Sequence, residues 1–173
     1  MNEVLKAIKE RRSVRKYLPE LPSEEMLAQI AEAGIYAPSG MNKQTSIVLC
    51  VTNKELRDRL SAANAAVLGS NSDPFYGAPA VFVVLAKKDE YNHVYDGTLT
   101  MENMMLAAHS LGLGSCWINR ARQVFEQNEY KQLLADLGIE GEWEGIGHCI
   151  VGYPDGEIPE AKPREPGRVI NVK

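Results

Sequence analysis

Apolar residues recur every three or four positions in five stretches of the chain, and this spacing predicts helices. In the first stretch Val4 and Ile8 share one face, and the helix runs into Arg11. In the second, Ser23 is a typical N-cap residue and Gly34 ends the helix. The predicted helices cover roughly residues 4–11, 24–34, 53–66, 98–111 and 124–137. The fourth is apolar nearly all round, which indicates a central helix or one packed against a partner subunit.

Four shorter stretches, the first two of them rich in apolar and β-branched residues, are predicted to be buried strands. They cover residues 46–52, 80–86, 114–118 and 143–151. Helices and strands are interleaved but irregular. We therefore expect an α+β fold in which helices pack around one central mixed or antiparallel sheet. Beyond Gly152 prolines and charges are frequent and periodicity is weak, so residues 152–173 form an extended tail without a core of its own.

The length of 173 residues predicts a single domain over residues 1–173, large enough to bury a core. Apolar residues make up 45% of the chain and charged residues 24%, as in ordinary soluble proteins. A net charge of −4 argues against a nucleic-acid-binding protein. No apolar run approaches the ~20 residues that span a bilayer, and early charges exclude a signal peptide. We therefore expect a cytoplasmic protein.

The cysteines and histidines match no familiar disulfide or metal motif. Cys50, Cys116 and Cys149 are odd in number, far apart and each in an apolar run, so we expect buried, reduced thiols. No CxxC or HExxH spacing occurs, which argues against a metal site.

The amino-terminal end concentrates positive charge on an otherwise acidic chain. Residues 1–16 hold six Lys or Arg against two Glu, and Arg11, Arg12 and Arg15 flank Ser13 within five residues. Guanidinium groups this close repel one another unless an anion binds them, and their planar donors suit phosphate oxygens. The alternative is a basic helix end that opposes the negative pole of the helix macrodipole. The cluster alone leaves both interpretations open.

Three familiar motifs are incomplete. Residues 34–40 resemble a phosphate-binding loop, but Met41-Asn42 stands where the lysine and hydroxyl residue belong. Gly112-Leu113-Gly114 begins like a dinucleotide fingerprint, but it precedes a strand and Trp117 replaces the third glycine. Ser39 has no partner base in a triad context, so nucleophilic hydrolysis is not predicted.

Four segments carry a stronger signal when they are taken in order. They are Arg11-Arg12-Ser13-Val14-Arg15, then Ala37-Pro38-Ser39-Gly40-Met41-Asn42-Lys43-Gln44, then residues 106–118, and finally Val151-Gly152-Tyr153-Pro154 with Lys162-Pro163-Arg164. Together they resemble the FMN-dependent nitroreductase family over nearly the whole chain. The resemblance implies a nitroreductase-like fold and an oxidoreductase in which the chemistry takes place on FMN N5.

The resemblance also implies which residues bind FMN. They are Arg11, Arg12, Ser13, Arg15, Pro38, Ser39, Gly40, Asn42, Ile118, Asn119, Lys162 and Arg164. Of these, Arg11, Arg12 and Ser13 would bind the phosphate and ribityl chain. Arg164, helped by Lys162, would return from the tail to the same phosphate.

The remaining residues would surround the flavin ring. Arg15 would approach the pyrimidine edge and stabilise negative charge on reduced flavin. Asn42 would hydrogen-bond the same edge, and the loop 38–40 would reach the flavin across a subunit interface. After Ile118, the backbone N–H groups of Asn119 and Arg120 would face flavin N5 and O4.

The family resemblance implies a homodimer with two FMN between its subunits and an exchanged carboxy-terminal extension. The implied reaction is ping-pong hydride transfer from NADH or NADPH to a nitroaromatic, a quinone or a related small oxidised substrate. The alternatives are a specialised relative, such as a dehalogenase, an ene-reductase or a flavin-modifying enzyme, and a flavin-binding module without turnover. A basic patch that binds other anions is a further alternative.

Two positions depart from the family pattern. Relatives often carry Gln-Pro-Trp where this chain has Gln44-Thr45-Ser46. A glycine often follows the Trp-Ile pair, whereas this chain continues with Asn119-Arg120. Arg120 would either place a cation near the pocket and favour anionic substrates, or point to solvent.

Overall fold

A computed structural model describes residues 2–173, and Met1, the first residue of the predicted domain, lies outside the described part. The strands are β1 (Ser46–Val51), β2 (Ala80–Lys87), β3 (Gly114–Ile118) and β4 (Trp143–Gly152). They form one sheet in the order β1-β2-β4-β3, and each neighbouring pair is antiparallel. The predicted α+β class is confirmed. Of the two predicted sheet types the antiparallel one is correct.

The helices are α1 (Glu3–Glu10), α2 (Glu24–Ile35), α3 (Lys54–Leu68), α4 (His93–Ser110), α5 (Ala121–Phe125) and α6 (Asn128–Asp136). The single predicted helix over residues 124–137 is wrong. Gln127 is extended, with ψ of 143°, and separates α5 from α6. This break lets the buried rings of Phe125 and Tyr130 pack at 5.5 Å between centroids.

Helix α4 begins at His93, five residues before the predicted start at residue 98. The apolar pattern misses this first turn because it contains Asp96 and Gly97 among exposed positions. Asp96 favours a helix start, since a negative charge complements the positive pole of the macrodipole. Gly97 leaves the space that the Ile146 side chain occupies.

Each face of the sheet has its own apolar core, because alternate residues of a strand point to opposite sides. On one face, Val83 and Ile150 pack with Leu60 of α3 and with α5 and α6. On the other face, Phe82 packs with residues of α2 and with Met101 of α4. Helix α5 packs closely on the sheet at Gly145 of β4, where a side chain would collide with the α5 backbone.

The periphery of the chain is much less buried. Helix α1 buries none of its residues, and the tail from Gly156 to Lys173 is exposed throughout. Cys50 is exposed, so its predicted burial is wrong, whereas Cys116 and Cys149 are buried as expected. The reason is that Cys50 lies on the edge strand β1, where burial is incomplete. Within residues 2–173, every helix is too short or too polar to cross a bilayer.

Candidate functional site

The amino-terminal arginine segment lies along the free edge of strand β3. Ser13 forms a parallel bridge with Ser115, and the Val14 N–H donates to the Ser115 carbonyl oxygen at 3.0 Å. This close approach depends on Gly114, because a Cβ there would lie 2.9 Å from Val14 side-chain atoms. The sheet therefore fixes the position of the segment that carries Arg11, Arg12, Ser13 and Arg15.

Several donors of this segment are buried without an acceptor. Arg11 Nη1, Arg12 Nε and Ser115 Oγ find no hydrogen-bond partner within residues 2–173. Arg11 Nε lies 3.9 Å from Glu102 Oε1, which is too long for a hydrogen bond. Buried donors without partners destabilise a protein by about 1–3 kcal/mol each, so an anion bound here would be strongly favoured. The residues present fit a phosphate group.

The alternative interpretation of the arginine cluster, a basic helix end, also holds for Arg12. Arg12 Nη1 donates to the carbonyl oxygens of Lys9 and Arg11, at 2.7 and 2.6 Å, and so satisfies the carboxy-terminal end of α1. Arg15 is exposed, and its Nη1 makes only a long contact of 3.5 Å to the Ser13 carbonyl oxygen. The guanidinium group of Arg15 is accordingly available to a ligand.

The loop between α2 and β1 is held by one carboxylate. Asp96, buried in the first turn of α4, accepts a hydrogen bond from the Gly40 N–H at 3.0 Å and one from the Thr45 hydroxyl at 2.9 Å. Ser39 Oγ accepts a further bond from the Gln44 N–H at 2.9 Å. The loop residues with positive φ are Met41 at 54°, Asn42 at 54° and Gln44 at 52°. Such backbone is strained for Met41 and Gln44, whereas asparagine adopts it more readily, so Asp96 holds the loop in a conformation that is unfavourable at two of its residues.

Two of the four predicted loop residues line a cavity between α2, β1 and α4. Pro38 and Ser39 line it together with Asp96 and Thr100. Asn42 is exposed, and its Oδ1 lies 3.5 Å from Gln44 Nε2. A group that enters this cavity would meet loop polar atoms whose positions are already fixed.

The connection from β3 to α5 is held by a second buried side chain. Asn64 of α3 is fully buried, and its Nδ2 donates to the Asn119 carbonyl oxygen at 2.7 Å. Its Oδ1 accepts from Arg120 Nε at 2.9 Å, so Arg120 does not point freely into solvent. The Arg120 N–H donates to the side-chain oxygen of Asn119 at 2.9 Å. Ile118, at the end of β3, is buried.

A buried histidine lies behind this connection. His148 of β4 is fully buried between the rings of Phe75 and Phe125, and its Nδ1 is 3.3 Å from Asn64 Nδ2. Burial lowers the pKa of His148 to about 4, and the positive charge of Arg120 acts in the same direction. The ring is therefore neutral near pH 7.

The structure brings some of the predicted site residues together and leaves others apart. Strand β3 joins Ser115, beside the arginine segment, to Ile118, about 10 Å further along the strand. Lys162 and Arg164 lie in the exposed tail, where Arg164 Nη1 contacts the Lys162 carbonyl oxygen at 3.4 Å. No hydrogen bond or ion pair within the described chain links them to the amino-terminal arginines.

Sequence reasoning missed Asn64 and Asp96, the buried polar residues that hold the two loops, and His148, which lies behind Asn64. His148 stands out in retrospect as a polar residue inside an apolar segment, whereas Asp96 lies among other polar residues. Asn64 lies in a helix with other polar residues, and nothing in its surroundings distinguishes it.

Comparison with known proteins agrees with this geometry. The model of the nitroreductase family matches residues 8–73 and 66–153. A crystal structure of a nitroreductase with bound FMN from Bacteroides fragilis superposes with a TM-score of 0.88 at 33% identity, covering 100% of both chains. An NADPH-flavin oxidoreductase from Vibrio harveyi is 31% identical over 98% of this chain and 73% of its own length. An FMN reductase [NAD(P)H] from Bacillus subtilis is 26% identical over 99% of this chain and 73% of its own length.

The chain belongs to the nitroreductase family. The family that its four sequence segments resemble is therefore confirmed, and so is its assignment to the oxidoreductases. The predicted cofactor agrees with the FMN bound in the Bacteroides fragilis structure.

Proposed function

We propose that the protein is an FMN-dependent NAD(P)H oxidoreductase that reduces nitroaromatics, quinones or related small oxidised molecules. The observation that supports this most directly is the set of buried, unpartnered donors of Arg11, Arg12 and Ser115 on the edge of the sheet. A phosphate is the group that such donors select. The same family and fold in FMN-binding relatives support the choice of FMN over other phosphates.

The protein's own residues would bind and orient the cofactor. Arg11, Arg12 and Ser13 would hold the phosphate, and Arg15 would neutralise negative charge at the pyrimidine edge. The second loop, with Pro38, Ser39, Gly40 and Asn42, would contact the ring. The flavin ring would also contact the backbone at Ile118, Asn119 and Arg120. When bound, FMN supplies the hydride chemistry, taking a hydride from NADH or NADPH and delivering it to the oxidised substrate.

We further propose a homodimer with two FMN at the subunit interface and exchanged tails. Tyr91 and Met41 are 93% and 90% exposed, and α1 presents Val4, Leu5 and Ile8 to solvent. Apolar side chains exposed on this scale are typical of an interface that a partner covers. An exchanged tail would also bring Lys162 and Arg164 to a phosphate that they do not approach within one protomer.

Residues 1–173 would form one FMN-binding domain with the tail predicted over residues 152–173, of which Gly152 ends β4 and residues 156–173 are exposed. Reductant and oxidised substrate would occupy the same position in turn, in a ping-pong order. All three cysteines are free thiols, which supports the reducing environment of the cytoplasm.

The phosphate assignment is tested by Arg11→Ala. Loss of a charge-assisted hydrogen bond of about 1.5–3 kcal/mol should weaken FMN binding by about 10- to 100-fold. Fluorescence quenching of FMN during titration with apoprotein measures the dissociation constant. Arg59→Ala is the matched control, because Arg59 is half-exposed and pairs with Glu129 on α6. Equal dissociation constants in Arg11→Ala and Arg59→Ala would show that the phosphate site is elsewhere.

A second experiment separates the enzyme from a flavin-binding module. The FMN-loaded protein should bleach near 450 nm under anaerobic conditions when NADH or NADPH is added, and regain its colour with a quinone or nitroaromatic. A protein that binds FMN but keeps its colour with both reductants is a binding module.

A further inference from the structure

Arg120 has a backbone conformation that normally belongs to glycine. Its φ is 74° and its ψ is 8°, in the left-handed region, at the junction between β3 and α5. A residue with a Cβ is strained in this region, whereas glycine adopts it freely. The surrounding structure must therefore hold the peptide between Asn119 and Arg120 in place.

The carboxamide of Asn64 contacts the carbonyl side of this peptide and the side chain of Arg120. Its Nδ2 donates to the Asn119 carbonyl oxygen at 2.7 Å, and its Oδ1 accepts from Arg120 Nε at 2.9 Å. Asn64 is fully buried in α3, more than fifty residues away in sequence. A single rigid side chain thus binds the strained backbone and the side chain of the strained residue together.

The contact also sets the direction of the opposite side of the peptide. In a trans peptide the carbonyl and the N–H of one peptide group point in opposite directions. Since the Asn119 carbonyl points towards α3, the Arg120 N–H points away from α3 and outwards. There it donates to the exposed Asn119 side chain at 2.9 Å. An acceptor on a ligand can replace that side chain without moving the peptide.

We propose that Asn64 is a positioning residue that fixes the Asn119–Arg120 peptide so that its outward N–H can bind an acceptor atom at the edge of the flavin ring. This inference rests on the proposed function, because it takes the flavin as the ligand. Without a ligand, the Arg120 N–H donates to Asn119 Oδ1; when the flavin binds, its acceptor atom replaces Asn119 Oδ1. Asn64 is required because residue 120 is an arginine; a glycine there would need no such anchor.

The experiment combines two variants and their double mutant, Asn64→Leu, Arg120→Gly and Asn64→Leu/Arg120→Gly. The matched control is Asn103→Leu, since Asn103 Nδ2 donates to the Ala33 carbonyl oxygen at 3.0 Å in a comparable contact away from the site. Amide hydrogen exchange of residues 119–120 in the apoprotein reports the anchoring itself. Titration with FMN reports the consequence for the ligand.

Asn64→Leu should speed exchange of the Arg120 amide at least tenfold and weaken FMN binding about tenfold, whereas Asn103→Leu should change neither more than twofold. In the Arg120→Gly background, Asn64→Leu should weaken FMN binding less than threefold, because no strained residue remains to be held. Should Asn64→Leu fail to fold, Asn64→Asp replaces it; it keeps an acceptor for Arg120 Nε and loses the donor to Asn119.

Equal exchange rates in Asn64→Leu and Asn103→Leu would overturn the proposal. Faster exchange with unchanged FMN affinity would overturn it as well, since the peptide would then be anchored without serving the ligand. If the wild-type protein does not bind FMN, the proposed function fails and with it the assigned ligand. The exchange data on apoprotein still decide separately whether Asn64 anchors the peptide.

Discussion

Two of the loops that hold non-glycine residues with positive φ each depend on one buried polar side chain from a helix. The Gly40–Gln44 loop is held by Asp96 of α4, and the Asn119–Arg120 connection by Asn64 of α3. The two helices pack on opposite faces of the sheet. The two loops therefore depend on separate cores.

The chemistry of each anchor follows from what its loop presents. The first loop offers an N–H and a hydroxyl, two donors, and Asp96 supplies only acceptors. The second offers a carbonyl oxygen and a guanidinium N–H, an acceptor and a donor, and the carboxamide of Asn64 supplies a donor for one and an acceptor for the other. The hydrogen-bonding groups of each loop thus determine which type of side chain can hold it, so a carboxylate at position 64 or a carboxamide at position 96 should hold its loop less well.

The largest effect is expected at the first anchor. Asp96→Ala leaves the half-buried Gly40 N–H and the buried Thr45 hydroxyl without their acceptor. The loss of both hydrogen bonds should reduce the free energy of unfolding by about 3 kcal/mol. Urea denaturation followed by circular dichroism measures the change.

Asp96→Asn is the control for this prediction, because it keeps one oxygen for Gly40 and nearly the same shape. Its loss should be about 1 kcal/mol. If Asp96→Ala and Asp96→Asn unfold at the same urea concentration, the two hydrogen bonds do not hold the loop.

The second anchor should differ from the first in its response to pH, since Asn64 lies beside the buried His148. The pKa of His148 is about 4 in the folded protein, below its ordinary value of 6.5, so between these values the unfolded chain binds the proton and the folded protein does not. The stabilisation that comes from holding His148 neutral is complete above about pH 6.5 and is lost as the pH falls towards 4. From pH 7 to pH 5 the loss should be about 2 kcal/mol.

The same measurement in His148→Gln isolates the histidine from the carboxylates that also titrate in acid. The variant will be less stable at every pH, so only the slopes are compared. A wild-type curve that runs parallel to the His148→Gln curve between pH 7 and pH 5 would mean that the histidine is not held neutral.

The regular parts of both regions could be predicted from sequence. The strands have short, largely apolar runs, as is typical of strands in a sheet, and predicted and observed bounds agree within one residue. The arginine segment could be found because four cations within a short stretch are unusual on an acidic chain. What failed was the length of helices, at α4 and at α5–α6. In α4 the first turn contains Asp96 and Gly97, so the apolar pattern does not reveal it. At Gln127 the backbone becomes extended without a break in the apolar spacing, so α5 and α6 resemble one helix in the sequence.

The anchors of the loops could not be predicted, because nothing local in the sequence connects them to what they hold. Asn64 bonds to Arg120 over 56 positions, and Asp96 bonds to Thr45 over 51. The positive φ of Met41 and Arg120 is equally hidden, since neither residue type favours it. The family resemblance pointed to the right loops, but the residues that shape them come from the packing of helices on the sheet.

The smallest expected effect tests the strain itself in the first loop. Met41 has φ of 54° and is 90% exposed, so its side chain contributes little to packing within the protomer. Met41→Gly should be more stable than Met41→Ala by about 1 kcal/mol, because alanine keeps the Cβ that opposes positive φ and glycine removes it. The flexibility that glycine adds to the unfolded chain reduces this gain, so the comparison with alanine is more informative than the comparison with methionine. Thermal unfolding of both variants gives the difference. If Met41→Ala is the more stable variant, the positive φ of residue 41 is not strained, and Asp96 is not needed to hold a strained loop. Only the Asn119–Arg120 connection would then depend on its anchor, Asn64, for its conformation.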